Sequence, residues 1–195
     1  MLLRRYTIAV AMICSTLAVS TAQTKYEEEK KISSDQVPQL AQEFILAVDS
    51  TARGRWYRET SDQGISFEWK GRLSDHCTSI EFDKGGTFQD AEILKTFRRL
   101  TPGEKEVLSA SLDRHYDRYQ IKRLQEQWTG PEQAIVLSLS SGEPTDRIVI
   151  RYELIIRARH ERKEDTERYE VLLAQDGTVL REDIEVRSLS DHMDY

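Results

Sequence analysis

The stretch Ile80-Glu81-Phe82-Asp83-Lys84-Gly85-Gly86-Thr87-Phe88 puts Ile80 and Phe82 on one side of an extended chain and Glu81 and Asp83 on the other, then breaks at two glycines. Side chains two apart share a sheet face, so this is a strand with one covered side and one wet side. Asp83-Lys84-Gly85-Gly86 supplies the positive-φ positions of a tight hairpin, and Thr87 to Ile93 returns as the partner strand. A shift of 91 residues superposes Ile80 on Val171, Phe82 on Leu173, Gly86 on Gly177, Thr87 on Thr178, Phe88 on Val179 and Ile93 on Ile184 without a gap. The same hairpin pattern thus closes each half of the chain.

Upstream of the first hairpin, Ile65, Phe67 and Trp69 alternate with Ser66, Glu68 and Lys70, and Arg55 to Thr60 forms a preceding strand. Before them, Val37, Leu40, Ala41, Phe44, Ile45 and Val48 recur at three- and four-residue steps, which lines one face of a helix from about Asp35 to Ser50 with Pro38 in its first turn. The second half opens on Thr101-Pro102-Gly103-Glu104, a capping box with Pro at the first helical position, followed by the stripe Val107, Leu108, Leu112, Tyr116 and Tyr119. Strands follow at about Gln120 to Gln127, Arg147 to Arg159, Arg168 to Ala174 and Thr178 to Val186. The helices superpose at a shift of 64, so the second half holds about 27 extra residues. Most of these lie in an insert at 129–146, where Ala134-Ile135-Val136-Leu137 reads as an added strand or hairpin. The expectation is an α+β fold: a tandem repeat of helix plus four-stranded antiparallel meander, over 35–99 and 100–187, with the helices on one face of a combined eight-stranded antiparallel sheet.

At the amino end, Arg4 and Arg5 precede an apolar run from Thr7 to Val19, and Ser20-Thr21-Ala22 places small residues before a cleavage point at Gln23. This is the pattern of a secretory signal over 1–22. About 13 apolar residues are too few to span a bilayer, which needs roughly 20. Cys14 follows Ile13, where lipidation needs a small residue, so no lipid anchor and no membrane insertion are expected after cleavage. The charged stretch 23–34 reads as a flexible leader, and 188–195 as a polar tail. Losing Arg4 and Arg5 deepens an already negative net charge of −6, which argues against a nucleic-acid partner. Only Cys77 remains, so no internal disulfide forms and packing alone supports the fold. The expected location is periplasmic or secreted.

Several short motifs carry a family likeness: Val37-Pro38 with Phe44, Trp56-Tyr57, Phe67-Glu68-Trp69, Ile80-Glu81-Phe82-Asp83 with Gly86-Thr87, and Tyr169-Glu170-Val171 with Asp176-Gly177-Thr178. With these the chain resembles the PepSY-like family of periplasmic proteins, which has the fold of β-lactamase inhibitory protein. The insert at 129–146 and the long strand Arg147 to Arg159 depart from the compact repeat of that family. The resemblance implies a noncatalytic envelope protein that binds or inhibits another protein.

The residues themselves offer little chemistry. His76 and Cys77 are neighbours on a strand and point to opposite faces, which suits a turn entering a strand better than a thiol nucleophile with its base. His115, His160 and His192 are not paired at zinc-ligand spacing, and no phosphate loop or nucleophile elbow occurs, so no cofactor, metal or catalytic residue is assigned. The stronger signal is the outward side of the sheet. Arg151, Glu153, Arg157 and Arg159 alternate with Ile150, Tyr152, Leu154 and Ile156, and Glu68, Lys70, Arg72 and Glu81 occupy the same side in the first half. Trp56, Tyr57 and Trp128 near strand ends are candidate anchors. Together these give a mixed-charge face suited to an envelope or secreted protein partner. Two other readings stay open, a carrier of a small hydrophobic ligand and a hydrolase on a cystatin-like layout.

Overall fold

The computed structural model describes residues 23–25, 27–61, 64–160 and 165–185; the segment read as an export signal and the polar tail lie outside these. In chain order the elements are β1 (Gln23–Lys25), β2 (Glu27–Ile32), α1 (Gln39–Val48), β3 (Gly54–Ser61), β4 (Gly64–Leu73), β5 (His76–Asp83), β6 (Phe88–Leu94), α2 (Pro102–His115), β7 (Arg118–Thr129), α3 (Glu132–Ser141), β8 (Val149–Arg159), β9 (Glu167–Ala174) and β10 (Val179–Glu185). All ten strands form one sheet in the order β1-β10-β9-β8-β7-β6-β5-β4-β3-β2. Every ladder is antiparallel except β1 with β10. The fold is α+β with the helices on one face of an antiparallel sheet, as the alternation indicated.

That helix-covered face divides into two apolar clusters. In the first, Ala41, Phe44, Ile45 and Val48 of α1 meet Trp56, Phe67, Trp69, Ile80 and Phe82 of the sheet. Phe44 stacks on Phe88 with ring centroids 5.0 Å apart and meets Phe82 edge-on at 5.4 Å. In the second, Leu108 and Leu112 of α2 pack on Leu124, Tyr152, Leu154, Ile156, Val171 and Leu173. The capping box at Thr101 is present, with Glu104 accepting from the Thr101 backbone N–H at 2.7 Å and Thr101 accepting from Glu104 N–H at 3.3 Å. The Asp83 carboxylate accepts from Gly85 and Thr87 N–H at 2.8 Å each, which fixes the turn that carries Gly86 at φ +88°. A Cβ on Gly86 would lie 2.7 Å from Pro38 Cβ, and one on Gly177 at φ +82° would lie 3.0 Å from Val107 Cγ1. Each hairpin glycine therefore lets its turn lie against a helix.

Four expectations need correction. The insert is a helix, α3, and not a strand or hairpin: Pro131 precedes it, Glu132 sits in its first turn, and Gly142 closes it at φ +80°. Its buried residues Ala134, Ile135, Ser138 and Leu139 follow helical spacing, and Ile135 and Leu139 join the first cluster although they come from the second half of the chain. Ser140 Oγ donates to Val48 O at 2.8 Å, and Ser74 Oγ lies 2.9 Å from both Leu139 O and Ser140 O, so α3 is tied to α1 and to the β4–β5 turn. Next, the stretch read as a flexible leader supplies strands. Ile32 pairs with Trp56 across β2–β3 and packs against the first cluster, which anchors the charged residues before it. The sheet accordingly has ten strands rather than eight. Finally, Leu40 is 59% exposed and does not belong to the buried stripe of α1, which is Ala41, Phe44, Ile45 and Val48.

β1 and β2 are separated by one residue, yet they belong to opposite ends of the strand order. Lys25 pairs with Glu185 of β10 and Glu27 pairs with Ser61 of β3. Two residues of chain span at most about 7 Å. The sheet is thus curled until both of its edges meet one continuous stretch of backbone.

Candidate functional site

The face of the sheet away from the helices is lined by alternate residues: Tyr57 and Glu59 on β3, Glu68 and Lys70 on β4, Ser79 and Glu81 on β5, Asp90 and Glu92 on β6, Gln125 and Gln127 on β7, Arg151 and Glu153 on β8, Glu170 on β9 and Arg181 and Asp183 on β10. Among the described residues no helix covers it. Even so Glu68, Ser79, Gln125, Gln127 and Glu170 are buried, Gln125 to 2% exposure. Curvature accounts for this. Lys25 and Glu27, two residues apart, pair with β10 and β3, which stand near opposite ends of the strand order. The strands therefore wrap around this face, and its long side chains shield one another. The side of β4 read as wet is a walled trough instead.

The floor of the trough is acidic and hydrogen-bonded. Gln125 Nε2 donates to Glu92 Oε2 at 2.6 Å, and Gln127 Nε2 donates to Asp90 Oδ2 at 3.2 Å. Burial, then the charges of Glu92, Glu81 and Glu68, push the Asp90 carboxyl well above the usual carboxylate range. Burial likewise raises Glu92, against the pull of Arg123. Interactions with Gln125 and Glu153 also act against that rise. Cations stand at the walls. Arg181 reaches Glu170 at 2.6 Å, Asp183 at 3.0 Å and Glu153 at 3.9 Å. Lys70 meets Glu68 at 2.7 Å and Glu29 at 2.9 Å, and although burial works against its charge, these two carboxylates hold it above the ordinary lysine range. The carboxylates of Glu29, Glu59 and Glu68 lie within 4.8 Å of one another, a geometry that suits a metal ion, but the Lys70 ammonium already stands at two of them.

The expected docking residues are distributed unevenly over this face. Glu68, Lys70, Arg151 and Glu153 line the trough, and Arg151 Nη1 donates to Gln127 Oε1 at 3.4 Å. Tyr57 lies at the rim with its ring 5.0 Å from Lys70 Nζ. Arg72 stands at the strand end, donating to Asp75 O at 2.6 Å. Arg159 lies 3.5 Å from Asp117, and Arg157 opens onto a cleft at the β8–β9 end. Trp56 and Trp128 are not at the surface: both are buried in the first cluster, since their strand positions face the helices, and Trp128 Nε1 donates to Glu126 Oε2 at 3.0 Å. Asp90, Glu92, Gln125, Gln127, Glu170 and Arg181 escaped the sequence reading, though Asp90 and Glu92 alternate with Ala91 and Ile93, a signal that marks the open side of β6.

Cys77 is exposed and lies 3.5 Å from Arg72 Nη1, with His76 beside it at the start of β5. His115 Nδ1 is 2.8 Å from Ser111 O within its own helix. His160 forms a cluster with Tyr116 and Glu182 where α2 meets β10: Glu182 accepts from Tyr116 OH at 2.5 Å and lies 3.1 Å from His160 Nε2. The rings of Tyr116, His160 and Tyr169 pack at 4.7 to 5.7 Å, so this group fastens the end of the helix to the sheet.

Fold and face together define an α+β protein with one curled sheet, helices outside and a charged trough inside. No protein-family model matches the chain, and no curated protein does. Among solved structures it is similar in fold to a BLIP-like protein from Bacteroides fragilis, at 12% identity and TM-score 0.48, over 80% of this chain and 92% of that one. It is likewise similar to a DUF2874 family protein from Bacteroides ovatus, at 13% identity and TM-score 0.47, over 80% and 89% of the two chains. A DUF2874 family protein from Bacteroides uniformis is similar at 11% identity and TM-score 0.48, over 76% and 89%.

Proposed function

We propose that this chain is an exported, noncatalytic binding protein of the cell envelope, built from two copies of one helix-plus-meander unit, which engages another protein through the trough. The observation that carries the reading is the uncovered, prearranged polar face: Gln125, Gln127, Lys70, Arg151 and Arg181 are held by hydrogen bonds and ion pairs to neighbouring strands, so little side-chain freedom remains to be lost on docking. Its acidic floor suits a partner that inserts a lysine or arginine, and its half-buried carboxylates gain most from such an ion. The signal at 1–22 supports an envelope or secreted location, and no described helix is long and apolar enough to cross a membrane.

Capture from envelope extract with crosslinking tests this. A partner retained by the wild type and by Arg114→Glu on α2, but lost with Arg151→Glu and with Glu153→Lys, supports the trough as the docking site. Equal retention by all four proteins removes it.

A further inference from the structure

Three carboxylates stand abreast on the trough floor: Glu68 of β4 is directly opposite Glu81 of β5, and Glu81 is directly opposite Asp90 of β6. Glu92 lies two residues beyond Asp90 and shares its face. Like charges in cross-strand positions repel, and sheets ordinarily set opposite charges there. Neutral groups supply hydrogen bonds along the row. Ser79, opposite Glu92, donates to Glu68, while from β7 Gln127 donates to Asp90 at 3.2 Å and Gln125 to Glu92 at 2.6 Å. The cations of this face stand chiefly at other carboxylates. Lys70 of β4 meets Glu68 and Glu29 of β2, which converge with Glu59 of β3. Arg181 of β10 meets Asp183, Glu170 of β9 and Glu153 of β8. Arg151 of β8 donates to Gln127, and Arg123 of β7 pulls on Glu92. Burial, then the neighbouring carboxylates, disfavours charge on Asp90, and burial does so on Glu92 although Arg123 opposes it.

We propose that the trough takes up its partner's basic side chain in exchange for protons held on this carboxylate cluster, so that docking is switched off in acid and on as the pH rises. The inference rests on the trough being the docking face and adds its regulation. An incoming ammonium or guanidinium does for Asp90 and Glu92 what Lys70 does for Glu68: it supplies the opposite charge that favours the ionised form. Each carboxyl that ionises gives its proton to solvent and gains an ion pair, so no further reactant is needed. Protons and the basic group compete for the same carboxylates. Affinity therefore climbs with pH until both groups are ionised in the unbound protein, and levels off above that point.

The test is calorimetric titration of the exported protein with the peptide acetyl-Gly-Lys-Gly-Lys-Gly-amide, whose lysines stay charged throughout, at pH 5 and pH 8 and fixed ionic strength. Binding at least tenfold tighter at pH 8 is expected. At the midpoint of that change, the difference in heat between phosphate and imidazole buffers counts the protons released, and a net release is expected. Asp90→Asn keeps an oxygen for Gln127 but cannot ionise, so its affinity at pH 8 should fall toward the pH 5 value and its proton release should shrink. Glu106→Gln, at an exposed position of α2, should match the wild type. Equal affinity at the two pH values, or binding without proton release, overturns the exchange and leaves the docking reading standing. So does a pH effect undiminished in both Asp90→Asn and Glu92→Gln. No binding of the peptide at either pH also overturns the exchange, and the docking reading is then judged separately by capture with Arg151→Glu.

Discussion

Replacing Ile135 with alanine tests whether α3, which comes from the second half of the chain, belongs to the first apolar cluster. Ile135 is 0% exposed and packs in that cluster with Leu139. The substitution removes three carbons, about 2.4 kcal/mol at about 0.8 kcal/mol per buried methylene. The cavity left behind adds to this, and buried isoleucine-to-alanine changes cost about 2 to 5 kcal/mol in total. A loss of about 3 to 4 kcal/mol is expected, or about 6 to 16 °C in melting temperature for a chain of this size. Leu137→Ala is the control on the same helix, because Leu137 is 65% exposed and its truncation should cost about 0.5 kcal/mol or less. All three tryptophans, Trp56, Trp69 and Trp128, lie in the first cluster, so fluorescence during urea unfolding reads that cluster directly. Equal losses for the two variants, or an unchanged tryptophan transition in Ile135→Ala, would refute the placement of α3.

Gly86→Ala should cost at least about 2 kcal/mol, since φ +88° is unfavourable for alanine and its Cβ would meet Pro38 Cβ at 2.7 Å. Gly103→Ala, with open space around its Cβ in the first turn of α2, should instead gain about 0.5 to 1 kcal/mol; chemical denaturation separates the two. Asp90 and Glu92 have raised pKa values in the fold, so the stability they contribute is present at low pH and lost as pH rises through their folded values. Asp49, Asp83, Glu104 and Asp176 are lowered, by hydrogen bonds to neighbouring hydroxyls and backbone N–H groups, and lose their contribution as pH falls through their folded values. Maximum stability is therefore expected at mildly acidic pH, and Asp90→Asn should raise the melting temperature at pH 8 and leave it nearly unchanged at pH 4. A larger gain at pH 4 than at pH 8 would contradict the origin given for the Asp90 shift.

Features written in local chemistry were legible in the sequence. The turn at Asp83 to Gly86, the cap at Thr101 and the alternation along Arg151 to Ile156 all rest on residues within a few positions of one another. The insert was misread because a four-residue apolar run suits a strand and a buried helix equally well, although Pro131 before it and Gly142 after it carried the helical punctuation. β2 was missed because Ile32 is its one apolar residue, and its pairing partner lies beyond α1. The wet reading of Glu68 failed for a different reason. Whether a polar face is open or enclosed depends on how far the whole sheet bends, and register shifts between β5 and β6, β7 and β8, and β9 and β10 contribute to that bend. Nothing in the vicinity of Glu68 encodes it.

The meeting of both sheet edges on residues 23–32 has a bearing on how the protein behaves when crowded. A lateral row of unsatisfied amide and carbonyl groups is what lets strands from separate molecules stack into fibrils. Here one stretch of chain shields parts of both margins, and its β2 portion is almost wholly lysine and glutamate, which keeps the outer edge charged and hydrated. Deleting that stretch should raise the tendency of the protein to aggregate, read by light scattering at increasing concentration.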